Sequence, residues 1–152
     1  MMSPPVCRNR LRLMTSTYSN YIKEIWIMEK LLAVIIGGAI GSGLRYGITL
    51  LANQHGGITF PYGTIIVNLV GSFCIGFLLM YFNAHTEIPS PLKLFVITGI
   101  LGGFTTFSTF NMELLTFIRE NALGAGLLYG GLNIVGAFLL CWIGIVAGVL
   151  LF

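Results

Sequence analysis

The chain has 152 residues, of which 56% are apolar and only 9% charged, with a formal net charge of +3. Soluble domains carry about 25% charged residues, so this composition excludes a soluble globular domain and reads as a membrane protein. The positive charge comes mostly from the first 27 residues, and no basic patch with interleaved aromatics points to nucleic acid.

Residues 1–27 hold Arg8, Arg10, Arg12, Lys23, a Pro-Pro pair and several Ser and Thr. No apolar core follows within this tail, so it is not a secretory signal. Met28-Glu29-Lys30 then runs directly into an apolar stretch. The expectation is that Met28 is the physiological start, and that residues 1–27 are a disordered tail or a mis-annotated start.

The remainder, residues 28–152, is expected to be one all-α transmembrane domain. Four stretches are long enough to cross a bilayer, which takes about 20 residues each: roughly 31–53, 62–83, 92–119 and 122–151. Short connections make neighbouring spans antiparallel. From Leu31 onward the charged side chains are Arg45, Glu87, Lys93, Glu113, Arg119 and Glu120. Membrane orientation follows the Lys/Arg bias of the short loops. Counted from Met28, Lys30 and Lys93 lie on one side and Arg119 on the other, with Arg45 inside the first span. That is almost no bias, so a chain starting there inserts both ways round. The four tail cations would fix the N-terminus in the cytoplasm.

The first span contains Gly41-Ser42-Gly43-Leu44-Arg45-Tyr46. An intramembrane cation is paired, snorkels to an interface or faces water, so Arg45 is either structural or part of an electropositive anion vestibule. The second span carries Asn68, whose amide is either glue between helices or a hydrogen-bond donor to a passing anion. Glycines recur four residues apart (Gly37 and Gly41, Gly43 and Gly47, Gly99 and Gly103, Gly126 and Gly130, Gly144 and Gly148), a spacing that lets helix backbones approach closely. Cys74 and Cys141 read as small packing residues, and Cys7 lies in the tail, so no disulfide framework is expected. His55 and His85 are expected in solvent-exposed loops.

The third span is interrupted by Gly102-Gly103-Phe104-Thr105-Thr106-Phe107-Ser108-Thr109-Phe110. Paired glycines weaken a helix, and Thr and Ser bond the backbone groups that a break frees. Thr105 is near the centre of the stretch, so a break at mid-membrane is expected. Phe107 and Phe110 share a face if the segment after the break is helical. Two rings presented edge-on can contact a partly dehydrated anion through their positive edges, without a full charge that would bind it too tightly to leave. Glu113 continues that face. In the fourth span Tyr129 and Asn133 are one turn apart. There is no nucleophile–base set, phosphate loop or metal motif, so the chain is not read as an enzyme.

Three stretches together resemble the Fluc (CrcB) family of fluoride channels: Gly37-Gly38-Ala39-Ile40-Gly41 leading to Arg45-Tyr46, Gly63-Thr64 leading to Val67-Asn68 and Gly71-Ser72-Phe73, and Gly102 through Phe110. The resemblance implies an antiparallel, dual-topology homodimer in a bacterial plasma membrane, with two fluoride pathways. It implies a structural Na⁺ at the dimer centre, held by the backbone carbonyls of Gly102 and Thr105. The pathway would be lined by Phe107 and Phe110, with Asn68 beside them, Ser108 and Thr109 in the polar part of the motif, and Glu113 and Tyr129 further along. Where family members often carry serines below that tyrosine, this chain has Asn133 and Ala137, and Asn133 still offers a donor. The implied function is passive export of F⁻ from the cytoplasm to relieve fluoride toxicity. The alternative is a small four-helix drug/proton antiporter, which would need a buried carboxylate near the middle of a span.

Overall fold

The computed structural model describes residues 5–56 and 60–152, and it is helical almost throughout. Four helical rods are long and apolar enough to cross a membrane: Lys23–Gln54, Tyr62–Ala84, Ser90–Arg119 and Leu123–Leu151. The first belongs to α1, Pro5–Gly56, and the second is α2, Tyr62–Ala84. The third comprises α3 (Ser90–Leu94), a π-helical stretch (Phe95–Leu101), the short α4 (Gly102–Phe104) and α5 (Phe107–Arg119). The fourth comprises α6 (Leu123–Gly131), a second π-helical stretch (Leu132–Gly136) and α7 (Ala137–Leu151).

From Pro5 the backbone is helical and continuous with the first span. Nothing between Pro5 and Gly37 breaks a helix, since no Gly or Pro intervenes, and Pro5 itself sits at the first turn, where its missing N–H is harmless. At 1.5 Å per residue the 52 residues of α1 extend about 78 Å, far more than the ~30 Å of a bilayer core. The side chains of Cys7 and His55 lie outside the described residues; the backbone at His55 continues α1 rather than forming a loop.

Small residues set the distances between rods. A Cβ on Gly37 would overlap the Phe95 carbonyl, and one on Gly41 the Ile100 carbonyl; one on Gly99 would fall 2.9 Å from Gly37 Cα, and one on Gly103 2.6 Å from the Gly38 carbonyl. The Gly37/Gly41 and Gly99/Gly103 pairs therefore seat α1 directly on the third rod. On the other side, Gly144 packs on the Phe73 carbonyl, Gly148 on Met80, and Gly76 on the Cys141 carbonyl, which brings α2 and α7 together. Gly43 and Gly47 have open space around them.

The ends are capped from the sequence at hand. Lys93 Nζ donates to the Phe82 carbonyl at 2.9 Å and lies 5.9 Å from the centre of the Phe82 ring, a cation at the C-terminus of α2, where the helix dipole favours one. His85 is not free in solvent as expected. Its backbone N–H and its Nδ1 both meet the Tyr81 carbonyl, and its ring stacks on Tyr81 at 4.4 Å. Between α5 and α6 the chain turns through Asn121 at φ 56°, a left-handed conformation that Asn tolerates.

Candidate functional site

The third rod is broken at Thr105 and Thr106, whose φ/ψ values of −82°/159° and −149°/119° are extended. These are the sixteenth and seventeenth of the thirty residues from Ser90 to Arg119. Helical bonding stops at Thr105, whose N–H and hydroxyl both donate to the Leu101 carbonyl, at 3.0 and 3.1 Å. It resumes after Thr106, whose hydroxyl oxygen accepts from the Thr109 N–H at 3.3 Å and caps α5. A Cβ on Gly71 would strike the Thr105 methyl, so the glycine in α2 makes room for the break.

A break leaves backbone groups that are costly to bury unpaired. Asn68, from α2, satisfies two of them. Its Oδ1 accepts from the Thr106 N–H at 2.8 Å, and its Nδ2 donates to the Thr106 carbonyl at 3.1 Å. The side-chain amide thus pairs with one residue of extended backbone much as a neighbouring strand would. Asn68 Nδ2 also donates to Asn133 Oδ1 at 2.9 Å, and Asn133 Nδ2 donates to the Tyr129 carbonyl at 3.1 Å. The Tyr129 hydroxyl donates to Glu113. Five of the residues expected at a site are therefore joined to one another or to the break: Asn68, Thr109, Glu113, Tyr129 and Asn133.

The break leaves the carbonyls of Gly102, Gly103, Phe104 and Thr105 without helical donors. In an unbroken helix the Gly102 carbonyl would accept from Thr106 N–H and the Thr105 carbonyl from Thr109 N–H, but these amides bond Asn68 Oδ1 and Thr106 Oγ1 instead. Gly102 is exposed on the protomer surface. Among the described residues no group of three or more His, Cys, Asp or Glu could hold a metal.

Phe107 and Phe110 touch, with ring centroids 5.6 Å apart. Their environments differ more than a shared face suggests. Phe107 is 72% exposed and Phe110 2%, because Phe110 packs on Tyr129 at 5.4 Å within a cluster that includes Ile65 and Phe117. Tyr129 is fully buried. Ser108 is exposed on the protomer surface, away from the hydrogen-bonded cluster.

Thr106 lines both of two separate cavities of about 270 Å³ each. One is lined by Phe107, Phe110, Asn68, Asn133, Ser72 and Ala137. The other is lined by Arg45, Tyr46, Ser42, Thr49, Thr64 and Thr109. Arg45 is half-buried and lines that cavity beside hydroxyl-bearing side chains. Ser42, Thr49 and Thr64 were not singled out from sequence, although Ser42 and Thr49 stand one helical turn on either side of Arg45 and so share its face. A third cavity, about 440 Å³, opens beside Glu113 and is lined also by Asn53, Thr116 and Glu120.

The sequence pattern of CrcB-like protein, Camphor Resistance (CrcB), matches residues 32–145, which include the whole of this arrangement. The chain belongs to the CrcB-like family. A CrcB-like relative from Roseiflexus sp., named a fluoride-specific ion channel, is 42% identical over 113 residues, covering 72% of this chain and 91% of the relative. Relatives of the same name from Chloroflexus aurantiacus and Aquifex aeolicus are each 43% identical, over 125 residues (77% of this chain, 99% of the relative) and 112 residues (73% and 90%).

Proposed function

We propose that this CrcB-like chain is a fluoride channel that lets F⁻ leave the cytoplasm passively across the plasma membrane, relieving fluoride toxicity. The observation that carries the reading is the pair of cavities that share Thr106 in their linings, in a chain whose relatives are named fluoride-specific channels. HF crosses the bilayer, ionises inside and is trapped as F⁻ until a channel releases it.

The residues suit an anion that must shed water and regain it. Arg45 gives the vestibule a fixed positive charge among hydroxyls, which raises the local anion concentration. Beyond Thr106 the lining is neutral, with ring edges at Phe107 and Phe110 and amide hydrogens replacing part of the hydration shell. Weak, repeated contacts of this kind permit entry and exit. Glu113 and Tyr129 occupy the far side of Phe110. No bond is made or broken in the cargo, so the protein is a channel and not an enzyme.

The working unit is an antiparallel, dual-topology homodimer, with the breaks of the two third rods meeting at mid-membrane around a Na⁺. Support comes from Gly102, which is exposed, has ordinary helical dihedrals and has only Ile97 O within 4 Å of a would-be Cβ, at 3.9 Å. Neither backbone strain nor packing inside the protomer requires a glycine there, whereas close approach of a second chain would. The Gly102 and Thr105 carbonyls, deprived of their helical donors, suit a small hard cation that prefers oxygen ligands. When bound, the ion would satisfy the lone pairs of these carbonyls and tie the two breaks together. The near-zero Lys/Arg bias counted from Met28 is compatible with insertion in both orientations.

The test is efflux from liposomes loaded with potassium fluoride and containing the purified full-length chain, followed with a fluoride electrode after valinomycin is added. Fast fluoride efflux with little chloride efflux is expected. No fluoride efflux from correctly assembled protein would overturn the reading in favour of the proton-coupled antiporter.

A further inference from the structure

On the third rod, Thr98, Ser108 and Asn111 are exposed on the protomer surface, and none of the three makes a side-chain hydrogen bond among the described residues. Thr116 is exposed as well, but its hydroxyl donates to the Met112 carbonyl at 3.0 Å. Asn111 lies six residues beyond Thr105, about 9 Å along the helix, and half the thickness of a bilayer core is about 15 Å. Thr98 lies at a similar depth on the other side of the break, four residues before Gly102.

A hydroxyl can turn back to a carbonyl of its own helix. The Asn111 amide has two donor hydrogens and an acceptor oxygen to satisfy, and lipid tails offer it nothing, so leaving it bare at this depth is costly. Its neighbours one turn away are Phe107, 72% exposed, Ser108, and Leu115, 56% exposed. A surface outside the protomer must therefore cover this face and bring a polar group to it.

The polar positions are spaced for a second copy of this chain in the opposite orientation. In a pair related by a two-fold axis, a residue beyond the axis on one third rod lies beside the residue equally far before it on the other. The Gly102 and Thr105 carbonyls of the proposed dimer put that axis midway between residues 102 and 105. Helical side chains lean toward their N-terminus and cover the surface about one position back, so Asn111 covers position 110 and Thr98 covers position 97. Those two positions share the same midpoint as 102 and 105.

We propose that these residues pair reciprocally across the dimer: the Asn111 amide of one protomer donates to the hydroxyl oxygen of the partner's Thr98, and the contact recurs on the other side of the axis. This rests on the antiparallel-dimer reading and deepens it. Hydrogen bonds between side chains of neighbouring spans join helices in this way. Placed on both sides of the two breaks, the bonds fix the register of one third rod on the other.

The test is subunit exchange between donor- and acceptor-labelled full-length chains in detergent, with thermal melting of each variant. Asn111→Leu suits a lipid-facing position, and Thr98→Val keeps the shape of threonine without its hydroxyl. Each removes two bonds per dimer and is expected to weaken association about fivefold or more, whereas Thr98→Ser keeps the hydroxyl and should associate like wild type. The double variant Asn111→Leu/Thr98→Val should be no weaker than the weaker single, because both changes remove one shared contact. Losses that multiply in the double variant would overturn the pairing, as would an Asn111→Leu chain that dimerises like wild type. A second measurement needs no weakened dimer. In chains carrying Cys7→Ser, Cys74→Ser and Cys141→Ser, a short bis-maleimide should join a Thr98→Cys chain to an Asn111→Cys chain at least tenfold faster than it joins two Asn111→Cys chains. The reverse ranking would overturn the proposal. A monomeric wild type would overturn the pairing and the dimer reading together, whereas a wild-type dimer that passes no fluoride would reject the channel reading alone.

Discussion

Gly102→Ala separates the protomer from the proposed dimer. Inside the protomer the new methyl group meets only the Ile97 carbonyl, at 3.9 Å, an ordinary contact. Residue 102 has φ −64° and ψ −37°, so alanine fits the backbone, and in a helical position it is favoured over glycine by about 0.5–1 kcal/mol. The protomer should therefore be as stable as wild type or slightly more so. If two chains meet at this glycine, each added methyl overpacks a close contact at a cost of about 1–3 kcal/mol, so two per dimer should weaken association at least tenfold. Gly41→Ala is the converse control. Its Cβ would overlap the Ile100 carbonyl and fall 2.9 Å from Phe104 N, so α1 must move off the third rod and the protomer itself loses stability. The assay is subunit exchange between donor- and acceptor-labelled chains in detergent, paired with thermal melting. A Gly102→Ala chain that dimerises with wild-type affinity would refute the reasoning, because the partner would then lie elsewhere.

Other perturbations follow from the same geometry. Phe107→Ile keeps apolar bulk at a 72% exposed position, so stability should shift by no more than about 0.5 kcal/mol while fluoride efflux falls at least tenfold; retained efflux would remove the ring edge from the mechanism. Lys93→Met removes the ammonium from the Phe82 carbonyl and should cost about 0.3–1 kcal/mol, read as a drop of a few degrees in Tm with flux per assembled protein unchanged. Replacing all Na⁺ with N-methylglucamine during purification should weaken the dimer and reduce efflux. Full activity after exhaustive exchange would argue against a cation at the Gly102 and Thr105 carbonyls.

The four rods and the interruption of the third were legible because both are written locally. Long apolar runs mark the rods, and Gly102-Gly103 followed by two threonines marks the break. The paired glycines of the first and third rods were also legible as close-approach positions: Gly37 and Gly99 meet each other, Gly41 meets the Ile100 carbonyl and Gly103 the Gly38 carbonyl. The work of Asn68 was not legible. Its bonds to Thr106 span 38 residues, and nothing in the local pattern says which of its polar atoms will be engaged. The different exposures of Phe107 and Phe110 were hidden for a similar reason. Spacing of three predicts a common face, but Tyr129 from the fourth rod, with Phe117 two turns along α5, covers one ring and leaves the other bare. The π-helical stretches have no composition of their own. They arise from a shift of one residue in the hydrogen-bond ladder.

The same network bears on whether the transport is coupled. An alternating antiporter must exchange two arrangements of its core, with a carboxylate that gains and loses a proton between them. Here the break is held by a bidentate amide pair, by a Thr cap and by glycine contacts in which backbone rests on backbone, and among the described residues no buried side-chain polar atom lacks a partner. Fully satisfied polar clusters resist rearrangement, because every alternative leaves a group unpaired in low dielectric. Glu113, the carboxylate nearest the cluster, lies eight residues from Thr105 and takes the Tyr129 hydroxyl as its donor. A rigid path of this kind should pass fluoride down its electrochemical gradient alone. In liposomes with matched fluoride inside and out, a proton gradient at zero membrane potential should drive no more fluoride accumulation than in protein-free liposomes, where HF alone crosses. Accumulation beyond that HF baseline would require a moving, proton-coupled core and would refute the rigid-path argument.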